Sequence, residues 1–177
     1  MRKLLLMIGM FLALAGPAFA APEPGVLVDQ LGHPVKGAAL SGHYLLIYFG
    51  YTNCPDVCPT TLNLMSDVLG KLGPKRNNLK AFFVTVDPTR DTPDVMRQYL
   101  KHFSPYITGL TGTPDDIAAA AARFHVPVKP GPDGTISHGL FIYFFGPDGR
   151  LLKSFHPDAG AGDILKDIEA VLEKPAS

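Results

Sequence analysis

Residues 44–72, which read YLLIYFGYTNCPDVCPTTLNLMSDVLGKL, decide the fold class of this chain. The apolar run 44–49 is too short for a helix and is followed by a glycine, which predicts a buried strand. Leucine and methionine then recur at helical spacing up to position 72, and Gly73-Pro74 follows, so residues 59–72 are predicted to form an amphipathic helix. A buried strand that leads directly into a helix is typical of α/β proteins.

The rest of the chain repeats this alternation of strands and helices. Thr92-Pro93 and Thr113-Pro114 each place a capping residue before a proline, which predicts a helix start at both positions. Residues 126–137 are rich in proline and glycine and are predicted to be a loop. Strands are predicted at 26–30, 81–86, 107–110, 139–145 and 150–155, and helices at 93–103, 114–124 and 161–172. This order predicts an α/β domain with a central mixed β-sheet flanked by helices.

Cys54 and Cys58 lie at the junction between the first long strand and its helix. Open α/β sheets place their functional sites at such junctions, and the field of a helix N-terminus favours a thiolate, so we expect lowered thiol pKa values. We expect the helix to begin near Pro59, with Cys58 at its cap. A disulfide that closes so short a loop stabilises a domain by only about 2 kcal/mol, so redox cycling or metal binding is favoured over a structural bridge.

Two thiolates on one loop are soft ligands that suit Cu(I) and Zn(II). A structural zinc site takes four ligands, usually several cysteines, and the chain has only two cysteines, so zinc is disfavoured. Copper accepts three ligands, and six histidines are available as the third. His138 is distinguished by its position immediately before the predicted strand 139–145. If that strand runs antiparallel to strand 44–49, its start lies beside the cysteines, which makes His138 a candidate ligand.

Three motifs together resemble the Sco/SenC copper-chaperone family. They are FGYTNCPDVCPTTL at 49–62, VTVDPTRDTP at 84–93, and a histidine at 138 before an apolar strand and a Pro-Asp-Gly turn. The resemblance spans about residues 25–172 and implies a thioredoxin-like fold. It further implies copper, as Cu(I) or Cu(II), bound by Cys54, Cys58 and His138. One departure is Ser137, where the family usually has an aspartate.

The resemblance also implies a function in assembling the dinuclear copper A centre of cytochrome c oxidase. The expected partners are the copper A subunit of the oxidase, another periplasmic copper chaperone, or both. The competing interpretation is an enzyme, a thiol–disulfide oxidoreductase that uses Cys54 and Cys58 as a redox-active pair and for which His138 is dispensable. A thiol peroxidase is a third interpretation, but no arginine that would polarise a peroxide is identifiable. The stretch 87–91 is interpreted as a turn, without a metal-binding function for Asp87.

The N-terminus is predicted to be a signal peptide at residues 1–20. Arg2 and Lys3 precede an apolar run, and Ala18-Phe19-Ala20 forms a small-x-small cleavage site. Residues 21–177 then form one domain in the periplasm, anchored in the inner membrane only if the signal is retained. The formal net charge is zero, with 16 basic and 16 acidic residues, so no basic surface for nucleic acid is expected. We expect a monomer.

Overall fold

A computed structural model describes residues 26–37, 40–131 and 134–173. The predicted signal peptide and its cleavage point lie outside the described residues. The strands are β1 (Leu27–Asp29), β2 (Pro34–Val35), β3 (Tyr44–Gly50), β4 (Leu79–Thr85), β5 (Ile107–Thr111), β6 (Val128–Pro130), β7 (Ile136–His138), β8 (Ile142–Phe145) and β9 (Leu151–Phe155). The helices are α1 (Val57–Leu72), α2 (Pro93–Leu100), α3 (Pro114–Arg123) and α4 (Ala161–Leu172), and a 3₁₀ helix spans Gly73–Asn78.

Seven of the strands form one mixed sheet in the order β2-β1-β5-β4-β3-β8-β9. The central strands β3, β4 and β5 run parallel, whereas β8 pairs antiparallel with β3, and β9 antiparallel with β8. The helices flank this sheet, and α1 contacts α4. The predicted α/β fold with a central mixed sheet is confirmed. None of the helices within the described ranges is long and apolar enough to cross a bilayer.

The pairing of β3 with β4 determines which loops lie together at the carboxyl ends of the central strands. These strands are in register from Tyr44 opposite Leu79 to Gly50 opposite Thr85, and nearly every residue of both is buried. Because parallel strands end at the same edge, the loop after Gly50 and the turn after Thr85 lie next to each other. Their contact is direct, since the Val86 amide donates to the Gly50 carbonyl at 2.8 Å.

Two differences from the sequence predictions affect the part of the fold that carries the candidate residues. Residues 126–137 were predicted to be a loop, but β6 and β7 form a separate two-stranded hairpin there, so that prediction is wrong. The hairpin is closed by a hydrogen bond from the Gly131 amide to the Thr135 carbonyl at 2.7 Å, and a count of prolines and glycines does not reveal this pairing. Helix α1 begins at Val57 rather than near Pro59. Asp56 is its N-cap, which leaves Pro55 outside the helix and avoids a clash with the Pro59 ring.

Candidate metal centre

The two cysteines occupy different environments at the start of α1. Cys58 is the second residue of the helix and is completely buried, whereas Cys54 lies in the preceding turn and is 9% exposed. That turn is closed by a hydrogen bond from the Cys54 amide to the Tyr51 carbonyl at 3.3 Å. Both thiols are free.

His138 lies against Cys58, with 3.7 Å between its Nε2 atom and the Cys58 sulfur. The fold achieves this by the predicted antiparallel pairing, in which Tyr48 of β3 stands opposite Ile142 of β8. The histidine does not directly precede β8, however, as the sequence suggested. It is the last residue of β7, where it pairs with Val128, and three residues separate it from β8. The hairpin, and not β8 itself, therefore carries the imidazole.

The hydrogen bonds of His138 fix which ring nitrogen faces the cysteine. Nδ1 donates to the carbonyl of Gly139 at 3.0 Å, and because a carbonyl only accepts, Nδ1 carries the proton. The lone pair of Nε2 then points towards the Cys58 sulfur. Burial lowers the pKa of His138, against a smaller opposing effect of the Gly139 hydrogen bond, so the ring is neutral at pH 7. The rings of Tyr48 and Tyr51 meet it edge-on.

The Cys58 thiol is protonated at neutral pH, which contradicts the expectation that the helix N-terminus would lower its pKa. Burial is the largest effect and raises the pKa of Cys58 to about 12, and the adjacent Cys54 thiol raises it further. The Tyr48 hydroxyl donates to the Cys58 sulfur at 3.5 Å and acts in the opposite direction, but it does not compensate for the lost hydration. The prediction failed because it considered the helix and not the enclosure of the sulfur.

Gly50 makes room for the Cys58 sulfur. A Cβ atom at this position would lie 2.9 Å from the sulfur and 2.7 Å from a ring carbon of Phe83. Both distances are shorter than real contacts of a Cβ atom, so any larger residue would displace the sulfur. The glycine at the end of β3 is therefore part of the site.

The predicted trio of ligands is only partly assembled. The structure brings Cys58 and His138 together, but no group of three His, Cys, Asp or Glu side chains in the described part of the chain is arranged to hold a metal ion as it stands. The Ser137 side chain is exposed on the opposite face of β7, so the orientation of His138 depends on the Gly139 carbonyl and not on residue 137. Asp87 pairs with Arg90, in agreement with its interpretation as a turn residue.

Sequence reasoning missed two residues that support the site. Tyr48 lies in the run 44–49 that predicts a strand, and its hydroxyl also contacts the Cys58 sulfur. Asp91 belongs to the stretch 87–91 that predicts a turn, and its completely buried carboxylate also accepts hydrogen bonds from Thr52 of the loop between β3 and α1. A usable signal was the polar character of Thr52 and Asp91, which follow the ends of the buried strands β3 and β4 by two and six residues.

The mixed sheet, with a thiol pair where its first long strand enters a helix, defines a thioredoxin-like protein. Comparison with known proteins then identifies the family. The family model described as SCO1/SenC matches residues 18–173, so this chain belongs to the SCO1/SenC family.

Two solved structures and one relative illustrate the similarity. The copper-bound ScoI of Bradyrhizobium japonicum is 40% identical, covers 82% of this chain and 95% of its own, and has a TM-score of 0.75. The SCO2-like protein of Rickettsia felis is 37% identical over 81% of this chain and 73% of its own length. BsSco is 27% identical over 86% of this chain and 94% of its own, with a TM-score of 0.71. Its structure is described as identifying a disulfide switch in a member of the Sco family of cytochrome c oxidase assembly proteins.

Proposed function

We propose that this protein is a copper metallochaperone that holds one copper ion with Cys54, Cys58 and His138. It passes that ion to the copper A centre of cytochrome c oxidase. The observation that carries the proposal is the unprotonated Nε2 atom of His138 at 3.7 Å from the Cys58 sulfur. The copper bound to a 40% identical family member supports copper as the metal.

The separation of these two atoms suits a shared ion. Bonds of about 2.3 Å to sulfur and about 2.0 Å to nitrogen, meeting at a tetrahedral or trigonal angle, leave the two ligand atoms about 3.5 to 3.7 Å apart. The observed 3.7 Å falls at the upper end of that range. Cys58 and His138 thus supply two of the three proposed ligands in a preorganised arrangement, and Cys54 completes the site when the turn 51–56 brings the second sulfur towards the ion.

The chemistry of the three ligands explains why binding is tight and reversible. Each thiol loses its proton when it ligates copper, whereas His138 gives a lone pair and releases no proton. Copper must therefore displace a proton from the buried Cys58 thiol, whose pKa is about 12, and Cu(I) does so because thiolate is its preferred ligand. Cys54 is more exposed than Cys58 and is the ligand that an incoming thiolate of the acceptor replaces first.

Copper titration of the reduced protein tests the ligand set. We expect one tightly bound ion for the natural protein and a loss of at least about tenfold in Cu(II) affinity for Cys54→Ser, Cys58→Ser and His138→Ala. His33→Ala is the matched control, because His33 is 72% exposed and pairs with Asp29 in a turn. Unchanged affinity in all three ligand variants would refute the site, and a loss in the control would indicate non-specific binding.

Delivery to the copper A centre is tested separately. The copper-loaded protein is mixed with the metal-free copper A domain of the oxidase, and the absorption of the dinuclear centre is followed. We expect that absorption to develop with the natural protein and with the His33→Ala control, and not with Cys54→Ser, which lacks one of the proposed ligands. Retention of copper by the chaperone, with no centre formed, would exclude this acceptor.

Thiol–disulfide oxidoreduction is the second candidate function. Two adjacent free thiols at a strand–helix junction and the disulfide switch described for BsSco favour it. One cysteine attacks a partner disulfide and releases the first partner thiolate. The other cysteine then closes the Cys54–Cys58 disulfide and releases the second, which completes a two-electron reduction of the partner. Reductase turnover that survives in His138→Ala, without copper binding in the natural protein, would favour this function.

We further propose that the protein is exported, acts as a monomer and begins at Ala21 after cleavage. The charged start, apolar run and Ala-Phe-Ala sequence support cleavage at that point. The intact mass of the protein recovered from the periplasmic fraction tests the cleavage site, and sedimentation of that sample tests the monomer. A mass that includes residue 1 would indicate a retained membrane anchor instead.

A further inference from the structure

The turn 87–91, between β4 and α2, contacts both elements that carry the proposed ligands. It follows directly after the end of β4 and is closed by the amides of Arg90 and Asp91, which both donate to the Asp87 carbonyl, at 3.1 and 2.9 Å. The side chains of these two adjacent residues then extend to different parts of the site. Asp91 reaches the cysteine loop, and Arg90 reaches the hairpin that carries the histidine.

Asp91 holds the cysteine loop through its buried carboxylate. One oxygen accepts from the Thr52 hydroxyl at 2.5 Å, and the other accepts from the Thr52 amide at 3.0 Å and from the Thr85 hydroxyl at 2.6 Å. The backbone of Asp91 is fixed as well, because the Thr111 hydroxyl donates to its carbonyl at 2.8 Å. Thr52 is two residues before Cys54, so the carboxylate of Asp91, a residue that is itself held by threonines of the neighbouring strands β4 and β5, anchors the start of the turn 51–56.

Arg90 holds the hairpin from the other side. Its Nη2 atom donates to the Gly134 carbonyl at 2.9 Å, while its Nε atom pairs with the carboxylate of Asp87. Asp87 is itself buried and also accepts from the Thr89 hydroxyl, which keeps the guanidinium in one orientation. Gly134 precedes β7, and β7 ends at His138.

From this geometry we infer that Arg90 and Asp91 are positioning residues. They set where the turn 51–56, which carries Cys54, meets the hairpin of β6 and β7, which carries His138. The inference rests on the proposed function, because it concerns the same three ligands. Each residue positions one part of the site. Asp91 positions the turn that carries Cys54 by its hydrogen bonds with Thr52, and Arg90 positions the His138 imidazole by its hydrogen bond to Gly134. Neither residue is one of the three proposed ligands.

Thr52→Val and Arg90→Gln separate the two sides. The valine keeps the shape of Thr52 and its amide but removes the hydroxyl that Asp91 accepts from, and Thr52→Ser restores that hydroxyl. Thr113→Val is the matched control, since the Thr113 hydroxyl also donates to an aspartate, Asp116, at 2.7 Å but at the start of α3. Arg97→Gln is the control for the arginine, because Arg97 and Arg90 are both 45% exposed and Arg97 pairs with Asp94 on α2.

Amide hydrogen exchange of the reduced, metal-free protein measures the local stability of the turn 51–56 and of β7 separately, without copper. We expect Thr52→Val to accelerate exchange in the turn 51–56 by about tenfold or more without changing β7, and Arg90→Gln to accelerate β7 without changing that turn. Both controls should leave both segments unchanged, and Thr52→Ser should match the natural protein. Equal acceleration of both segments by either variant would reduce the effect to general loss of stability and overturn the inference.

Copper titration of the same variants then tests whether loosening of either segment weakens copper binding. Both variants should bind Cu(II) about threefold more weakly or worse, and the thiolate-to-copper absorption band should shift in Thr52→Val, whose sulfurs are released, more than in Arg90→Gln. Unchanged affinity and spectra despite local loosening would refute a positioning function. If the natural protein bound no copper, the proposed function would fail, but the exchange pattern would still decide whether Arg90 and Asp91 hold the two elements.

Discussion

Replacing Gly50 by alanine should damage stability and metal binding together. The new Cβ atom would lie 2.9 Å from the Cys58 sulfur, whereas ordinary contact begins at 3.4 Å, so the sulfur must move by about 0.5 Å, the difference between these two distances. The same Cβ atom would lie 2.7 Å from Phe83, which is completely buried in the core. Overpacking of this kind costs about 1–3 kcal/mol, and a displacement of half an ångström in a ligand should weaken copper binding roughly tenfold.

Two other glycines separate these effects. In Gly109→Ala the Cβ atom would lie 2.6 Å from Leu100 and 3.0 Å from Met96, so the core is overpacked in the same way but away from the site. In Gly70→Ala nothing lies within 4 Å, and alanine should stabilise α1 by about 0.5–1 kcal/mol. Urea unfolding of the reduced proteins measures the first effect, and we expect the midpoint of Gly50→Ala to fall by on the order of 1 M.

Copper titration of the same three variants measures the second effect. Only Gly50→Ala should bind copper more weakly, because only its new methyl group contacts the Cys58 sulfur. The reasoning is wrong if Gly50→Ala unfolds at the same urea concentration as the natural protein. It is also wrong if Gly109→Ala weakens copper binding as much as Gly50→Ala does.

The remaining predictions concern pH and the surroundings of the ligands. The metal-free protein should lose stability as pH falls below about 6.5, since burial lowers the pKa of His138 and the unfolded chain then binds more protons, and His138→Gln should reduce this loss in urea titrations. It should also lose stability above pH 9.0, because Cys58 keeps its proton in the fold up to about pH 12 while the unfolded chain releases it; Cys58→Ser should reduce that slope, and the part that remains comes from buried tyrosines such as Tyr48, whose pKa burial also raises. Tyr48→Phe removes a donor to the Cys58 sulfur and should move the Cu(II)–thiolate band to lower energy, with a loss of about 0.5–1.5 kcal/mol in stability; an unmoved band would contradict a contact in the loaded protein. Ser137→Asp should change copper affinity by less than about twofold, because residue 137 faces away from the imidazole that Gly139 orients, and a larger gain in titration would show that an acidic group acts from that position.

The parallel core could be predicted from the sequence because its signals are local. Residues 44–49 and 81–84 are apolar runs, and α2 and α3 each begin at a proline that follows a capping threonine, so each of these elements is indicated by its own local sequence. The hairpin of β6 and β7 has no such local sequence signal. Its pairing joins Val128 to His138 across a segment rich in proline and glycine, and only the folded chain brings these residues together.

The sequence predicted which residues form the candidate site but not the protonation of its thiols. The position of His138 followed from the order of strands, whereas the raised pKa of Cys58 results from the burial of its sulfur in the folded chain, which the Tyr48 hydrogen bond opposes only in part. The contact of Asp91 with Thr52 joins residues 39 positions apart, and it depends on two strands ending at one edge. The order of strands therefore indicates that His138 lies near the cysteines, while packing decides how acidic Cys58 is and which further residues support the site.

X-ray absorption of the copper-loaded protein tests the central claim most directly, because it counts the atoms bound to the metal. The account predicts two sulfurs at about 2.3 Å and one imidazole nitrogen at about 2.0 Å, with one sulfur lost in Cys54→Ser and the nitrogen lost in His138→Ala. A single sulfur in the natural protein, or a nitrogen that persists in His138→Ala, would contradict the convergence of Cys54, Cys58 and His138 on one ion.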